Sequence, residues 1–362
     1  MKKILVAAGG TGGHFFPALS VVDKLTESLK GEIEFQFFGR KDKIEGRILP
    51  ELGYKLNETN LRGISSAISF DTLKLPFKML SAVQQVKRII KRDDIDAVLC
   101  AGAYLSIPPG IAAKLLGKKL FLMEANINLG KANKFLADRA DIIFTSFDET
   151  KKYFNEKDGK KLRCFGNPVR SSMLVKKDRV EAIKSIGLSA EKKTILIFGG
   201  SLGAQAINEA IINNIDEFAK AEYQIIWQSG NVHKFNIDLP ENVKLLEFID
   251  DMAGAYAAAD LVVSRSGATT TAELSVLGKP SILVPLPSAS NNEQLLNAKE
   301  MEKKGAAIVV DNSEIGEKLL PLIRQLITNE NKLAEMSKAA LSLAKPMASQ
   351  DIANEIIRVM KW

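Results

Sequence analysis

The chain's two histidines sit in different settings. His14 follows a glycine turn, VAAGGTGGH (6–14), at the start of an amphipathic stretch. A helix N-terminus lowers a histidine's pKa and keeps it neutral, which suits a base or a hydrogen-bond donor to phosphate. His233 stands in a polar run, GNVHKF (230–235), and reads as solvated. The glycine turn carries anion chemistry of its own, because backbone without side chains can bring N–H groups close to a phosphate. LIFGGSLGA (196–204) repeats the pattern, with Gly199 standing 190 residues after Gly9. Neither turn has the lysine of GxxxxGK[ST]. The first also lacks the third glycine of GxGxxG, and Gly39-Arg40 stands where an acid would hold a ribose, which argues against NAD. A third anion site follows LVVSR (261–265): Ser266, Gly267, Ala268, Thr269 and Thr270 open a helix that carries Glu273, a carboxylate able to accept from a ribose diol. Asp94-Ile95-Asp96 is an acidic pair of metal-binding type, but it precedes the apolar run AVLCAG (97–102). It therefore falls at the amino end of a sheet, away from where α/β sheets bind ligands. With no His/Cys cluster either, neither a metal nor a tightly bound cofactor is expected.

These groups need a scaffold. At 362 residues the length fits two domains. Apolar runs at 4–8, 33–39, 97–102, 120–124, 141–147 and 162–168 read as strands of a first half. Those at 194–200, 224–230, 243–248, 261–265, 281–285 and 306–310 belong to a second. Helical patterns such as 17–29 and 269–278 lie between them. Alternating strands and helices with continuously apolar strands predict an α/β fold of two doubly wound, Rossmann-like parallel sheets facing across a cleft. The domains run 1–168 and 169–344, and 345–362 forms a closing helix.

Composition narrows the class. Apolar residues make up 46% and charged residues 26%, ordinary for a globular chain. Cys100 and Cys164 form no CxxC pattern. The uncharged run 97–113 is broken by Pro108 and Pro109, so no spanning helix is expected. The net charge of +7 is mild. It is concentrated between Leu61 and Arg92, where seven Lys/Arg meet one acid, Asp71. Lys74, Lys78 and Lys87 interleave there with Leu75, Phe77 and Leu80, a pattern suited to an anionic membrane surface. No basic helix has groove geometry, so nucleic acid is not an expected partner.

Seven segments, in order, resemble the MurG family of peptidoglycan glycosyltransferases: GGTGGHFFPAL (9–19), GAYLSIPPGIAAKLLG (102–117), EANINLGKANKFLA (124–137), GNPVR (166–170), GGSLGAQAIN (199–208), 248–274 and VPLPSASNNEQLLNA (284–298). The resemblance implies the GT-B fold and inverting transfer of N-acetylglucosamine from UDP-N-acetylglucosamine to undecaprenyl-linked N-acetylmuramyl-pentapeptide. The C-terminal domain would hold the donor and the last helix would cross back to the first domain. It places Ser201 at the diphosphate and Arg170 near the nucleotide sugar. Ile249 meets uracil, Ala268, Thr269 and Thr270 meet phosphate, Glu273 the ribose and Gln294 the sugar. Thr11, Gly12, Gly13 and Asn126 complete the donor set. Gly10, Gly102 and Tyr104 belong to loops for the acceptor diphosphate. His14 is the candidate base, ahead of Glu124 and Asp42. The implied setting is peripheral, on the cytoplasmic face of the membrane, with other proteins of cell-wall synthesis as candidate partners. Ala103, Ala125, Leu202 and Glu293 depart from the family pattern. Competing readings are another GT-B glycolipid-forming transferase, a UDP-sugar epimerase, or an inactive nucleotide-sugar-binding scaffold of the cell wall.

Overall fold

A computed structural model describes residues 1–61, 75–200, 203–231, 238–289 and 292–362. The chain divides into two compact units, Met1–Arg170 with Pro346–Trp362, and Ser171–Lys345. The first contains β1 (Lys2–Ala7), β2 (Ile33–Gly39), β3 (Lys55–Glu58), β4 (Ala97–Cys100), β5 (Lys119–Glu124), β6 (Ile142–Thr145) and β7 (Leu162–Cys164). All pair in parallel, in the order β3-β2-β1-β4-β5-β6-β7. The strand period of two sends alternate side chains to opposite faces. Ile4, Val6 and Ala8 join one apolar cluster with Phe15, Val22 and Leu25, while Leu5 and Ala7 join another with Val86 and Ile90. Both faces are thus covered, which is why these strands are apolar throughout.

The second unit repeats the plan with β8 (Thr194–Phe198), β9 (Gln224–Gln228), β10 (Val243–Leu246), β11 (Leu261–Ser264), β12 (Ser281–Leu283) and β13 (Ala307–Val309), ordered β10-β9-β8-β11-β12-β13 and again parallel. In each sheet the order reverses beside the opening strand, between β1 and β4 and between β8 and β11. Loops leaving the carboxyl ends at such a reversal splay apart and leave a crevice.

The sequence patterns find every strand but β3. KLNE is polar and only half covered, as an edge strand can be, so it carries no apolar run. The first helix starts at Gly12 rather than Pro17, which makes the glycine turn itself the helix N-terminus. The last helix, Ala348–Met360, packs on Gly12–Ser28 within the first unit through Ile352, Ala353 and Ile356. Arg163 of β7 donates to its Glu355 at 2.9 Å.

Candidate active site

At the first reversal, the turn after β1 carries Gly10 at φ +86° and leads directly into the Gly12–Ser28 helix. Thr11 occupies the cap position, yet its hydroxyl does not cap the helix: Oγ1 lies 3.0 Å from Nδ1 of His14. That contact engages the Nδ1 edge of the ring and leaves Nε2 on the other. The ring lies against Gly102 in the loop after β4, where a Cβ would stand 3.2 Å from Nε2. Burial pushes the His14 pKa below its ordinary value, so the ring stays neutral. A neutral imidazole with Nδ1–H donating to Thr11 presents an unprotonated Nε2, the form a general base needs.

The loop after β4 holds Gly102 at φ +94° and Ala103 at φ +56°, ψ +169°. The second is glycine territory occupied by an alanine, so the departure from the family pattern is paid in backbone strain. Tyr104 follows; its hydroxyl donates to the Leu61 carbonyl (3.3 Å) and lies 3.5 Å from the Arg40 guanidinium.

The other two candidate bases have different work. Glu124 ends β5 and is buried, and its carboxylate accepts from the N–H groups of Asn126 (3.1 Å) and Gly130 (2.9 Å) and from Asn133 Nδ2 (2.9 Å). It shapes the loop that carries Asn126. Asp42 is exposed and paired with Arg40, whose guanidinium holds its carboxyl below the usual range. Neither is placed as His14 Nε2 is, against the second glycine loop. Arg170, at the end of the unit, lies over the Phe16 ring at 5.1 Å.

Sequence reasoning missed Glu45. It lies in the first turn of Ile44–Glu51, is buried, and accepts from the Gly10 and Arg40 backbones. The available signal was a pair of glycines, Gly9 in the turn after β1 and Gly39 at the end of the adjacent β2: each leaves room that Glu45 fills.

In the second unit, the turn after β8 is fixed by amides. Gln228 Nε2 donates to the Gly200 carbonyl (3.1 Å), and Asn208 spans Trp227 Nε1 (2.9 Å) and the Ser229 carbonyl (2.9 Å). Ser201 and Leu202 lie outside the described residues. Beside this turn, the loop after β11 leads into the Ala268–Val276 helix, whose first turn carries Ala268, Thr269 and Thr270. Glu273, on the same helix, is buried, with Oε2 accepting from the Tyr256 hydroxyl at 3.1 Å. Arg265 donates to the carbonyls of Val284 and Pro285 and to Asn312 Oδ1. Among the described residues no carboxylate neutralises it. Gln294 Oε1 accepts from Leu286 N–H (3.0 Å), and the Ile249 side chain is buried.

The family models for the glycosyltransferase family 28 N-terminal and C-terminal domains match residues 4–145 and 194–356. A protein of Bacillus cytotoxicus named UDP-N-acetylglucosamine–N-acetylmuramyl-(pentapeptide) pyrophosphoryl-undecaprenol N-acetylglucosamine transferase is 37% identical to this chain, over 99% of this chain and 98% of its own. A protein of the same name from Flavobacterium psychrophilum is 36% identical over the same shares. The chain belongs to the MurG glycosyltransferase family. A crystal structure of Acinetobacter baumannii MurG is similar, with a TM-score of 0.76 and 29% identity, covering 99% of this chain and all of that one. A structure described as a UDP-N-acetylglucosamine 2-epimerase from Listeria monocytogenes reaches 0.70 at 17% identity over 99% and 96% of the two chains, and shows the shared fold alone. Both units of this MurG-family chain are α/β units of the GT-B fold.

Two further expectations concern a metal site and a spanning helix. Among the described residues no group of three or more His, Cys, Asp or Glu gathers as a metal site. Asp96 uses its carboxylate on the Lys3 N–H (2.8 Å), and Asp94 is solvated. No described helix is long and apolar enough to cross a membrane. In Leu75–Arg92, Ala82, Val83, Val86, Ile89 and Ile90 face the core. Phe77 is 76% exposed and Leu80 59% exposed on the solvent side, together with Lys78. Lys74, the Leu75 side chain and His233 fall outside the described residues.

Proposed function

We propose that this protein transfers N-acetylglucosamine from UDP-N-acetylglucosamine to the C4 hydroxyl of lipid-linked N-acetylmuramyl-pentapeptide with inversion. The hydroxyl oxygen attacks the anomeric carbon, the bond from that carbon to the diphosphate breaks, and UDP leaves. The hydroxyl proton passes to His14 Nε2. The observation that carries this assignment is the seating of His14: its Nδ1 is engaged by Thr11 and its Nε2 edge lies on the second glycine loop.

The second unit is suited to the donor. The N-terminus of the Ala268–Val276 helix, with Ala268, Thr269 and Thr270, meets the diphosphate, and the charge of Arg265 strengthens that field. Glu273 accepts from the ribose, Ile249 meets uracil through its backbone, and Gln294 offers its amide N–H groups to the sugar. Ser201 belongs to the same set. Thr11, Gly12, Gly13, Asn126 and Arg170 complete the donor contacts. Gly102 and Tyr104 seat the acceptor diphosphate. Gly10 serves by its shape, since its N–H is committed to Glu45.

Phe77, Leu80, Lys78 and Lys87 bring the first unit to an anionic membrane surface on the cytoplasmic side, where a long lipid acceptor must stay. The deciding assay supplies radiolabelled UDP-N-acetylglucosamine and a lipid-linked muramyl-pentapeptide. A lipid-linked disaccharide is expected; UDP-N-acetylmannosamine from the donor alone would instead establish an epimerase.

A further inference from the structure

We infer that Glu45 is a positioning residue that sets the spacing of the two glycine loops in the first unit and, through it, the seat of the acceptor. This rests on reading Gly10, Gly102 and Tyr104 of those loops as the acceptor seat. Glu45 is 1% exposed. Its Oε2 accepts from Gly10 N–H at 3.0 Å, and Oε1 from Gly10 N–H at 3.2 Å and Arg40 N–H at 3.0 Å. Among the described residues no cation pairs with it. A buried carboxylate persists only where hydrogen bonds replace its water, and here two backbone segments supply them.

The surrounding glycines make room for this arrangement. A Cβ on Gly9 would stand 2.3 Å from Glu45 Oε1, and one on Gly39 2.8 Å from Glu45 Cγ. Neither glycine has a positive φ, so neither is required by its own backbone. Both are required by the carboxylate.

The contacts join three segments. Gly10 leads to Thr11 and His14. Arg40, held at its N–H, extends its guanidinium to the Tyr104 hydroxyl on the loop after β4. One side chain therefore ties the β1 loop to the end of β2, and the end of β2 reaches on to the second glycine loop. A carboxylate presents two acceptors, whereas an amide turns a donor toward one of these N–H groups.

The test compares Glu45→Gln and Gly39→Ala with the wild type, using UDP-N-acetylglucosamine and the lipid-linked acceptor. Gly39→Ala keeps the carboxylate but crowds it. Misplacing a positioned group by about 1 Å can cost on the order of a hundredfold, so each variant should raise the acceptor KM at least about tenfold. Donor Kd by calorimetry should change by a clearly smaller factor than the acceptor KM, because of the donor set only Thr11, Gly12 and Gly13 lie on the loop that Glu45 holds. The double variant should lose little more than the worse single one, since both act on one interaction. An unchanged acceptor KM in folded Glu45→Gln overturns the inference. So does an equal loss of donor and acceptor affinity, or failure of both variants to melt cooperatively, since either makes Glu45 a residue of the fold alone. If the wild type itself forms no lipid-linked product, the transferase reading fails and this inference with it; wild-type turnover with unaltered variants overturns this inference only.

Discussion

The two glycine turns share a sequence pattern but rest on opposite electrostatics. Beneath the first lies a buried carboxylate, Glu45, that takes the Gly10 N–H away from any ligand. Around the second, the supports are neutral amides, Asn208 and Gln228, and the nearby β11 loop carries Arg265 with only neutral oxygens around its guanidinium. A cation left without a carboxylate partner keeps its field for a ligand, and a helix N-terminus adds to it. On the proposed reaction, this suits the second unit to an anion whose charge grows as the bond breaks, and the first to a fixed geometry around a neutral histidine. Similar glycine turns do not imply similar tasks; what stands behind the turn decides.

Removing His14 attacks this contrast most directly. His14→Ala should lower turnover by about 10²–10⁴-fold, the usual worth of a general base, while calorimetric donor affinity stays constant. A parallel drop in donor affinity would erase the division of labour. The pH profile sharpens it. Since burial depresses the His14 pKa, the acid limb of kcat/KM should lie below the ordinary value of 6.5 and vanish in His14→Ala. The same shift makes the unfolded chain bind the proton first as pH falls. Stability should therefore decline on acidification below 6.5 until the folded-state pKa is passed, and less so in the variant.

The second unit should answer in affinity. If Glu273 holds the ribose as proposed, Glu273→Ala should weaken UDP-N-acetylglucosamine by about 1.5–3 kcal/mol in calorimetry. Tyr256→Phe, which removes the hydroxyl that donates to Glu273, should cost about 1 kcal/mol. Equal affinity in Glu273→Ala would remove the nucleotide from this helix. A membrane test separates the units again. Lys78→Glu with Lys87→Glu should weaken binding to anionic liposomes by about 1 kcal/mol or more per site at low salt, sparing a short-chain acceptor. Loss on both acceptors would assign these lysines to the site or the fold. The smallest effect is expected at Ala103→Gly. Relief of its strained backbone, less the entropy glycine brings to the unfolded chain, should stabilise the first unit by about 1 kcal/mol in denaturant melts.

The architecture was legible because its strands are covered on both faces and so read as unbroken apolar runs. β3 was not, since KLNE at an edge lacks that mark. The histidine and both glycine turns could be read from local spacing. Sequence alone ranks Glu124 among the candidate bases and marks nothing at Glu45, which lies in a short helix after β2. Glu124 proves to be enclosed by its own loop's N–H groups, and Glu45 is turned under a loop 35 residues earlier. Such long-range hydrogen bonds leave no periodicity. The only trace is the pair of glycines that make room for them.

The return of Ala348–Met360 to the first unit has a consequence for the order of assembly. Phe15, Val21 and Val22 share a core with Ile352, Ala353 and Ile356, more than three hundred residues later. On the ribosome the first helix therefore waits, with part of its apolar face uncovered, until the whole second unit has been made. Closing so long a loop is slow, and an exposed apolar stripe is a target for chaperones or self-association in the interval. The two-unit plan makes the first unit the first to begin folding and the last to finish.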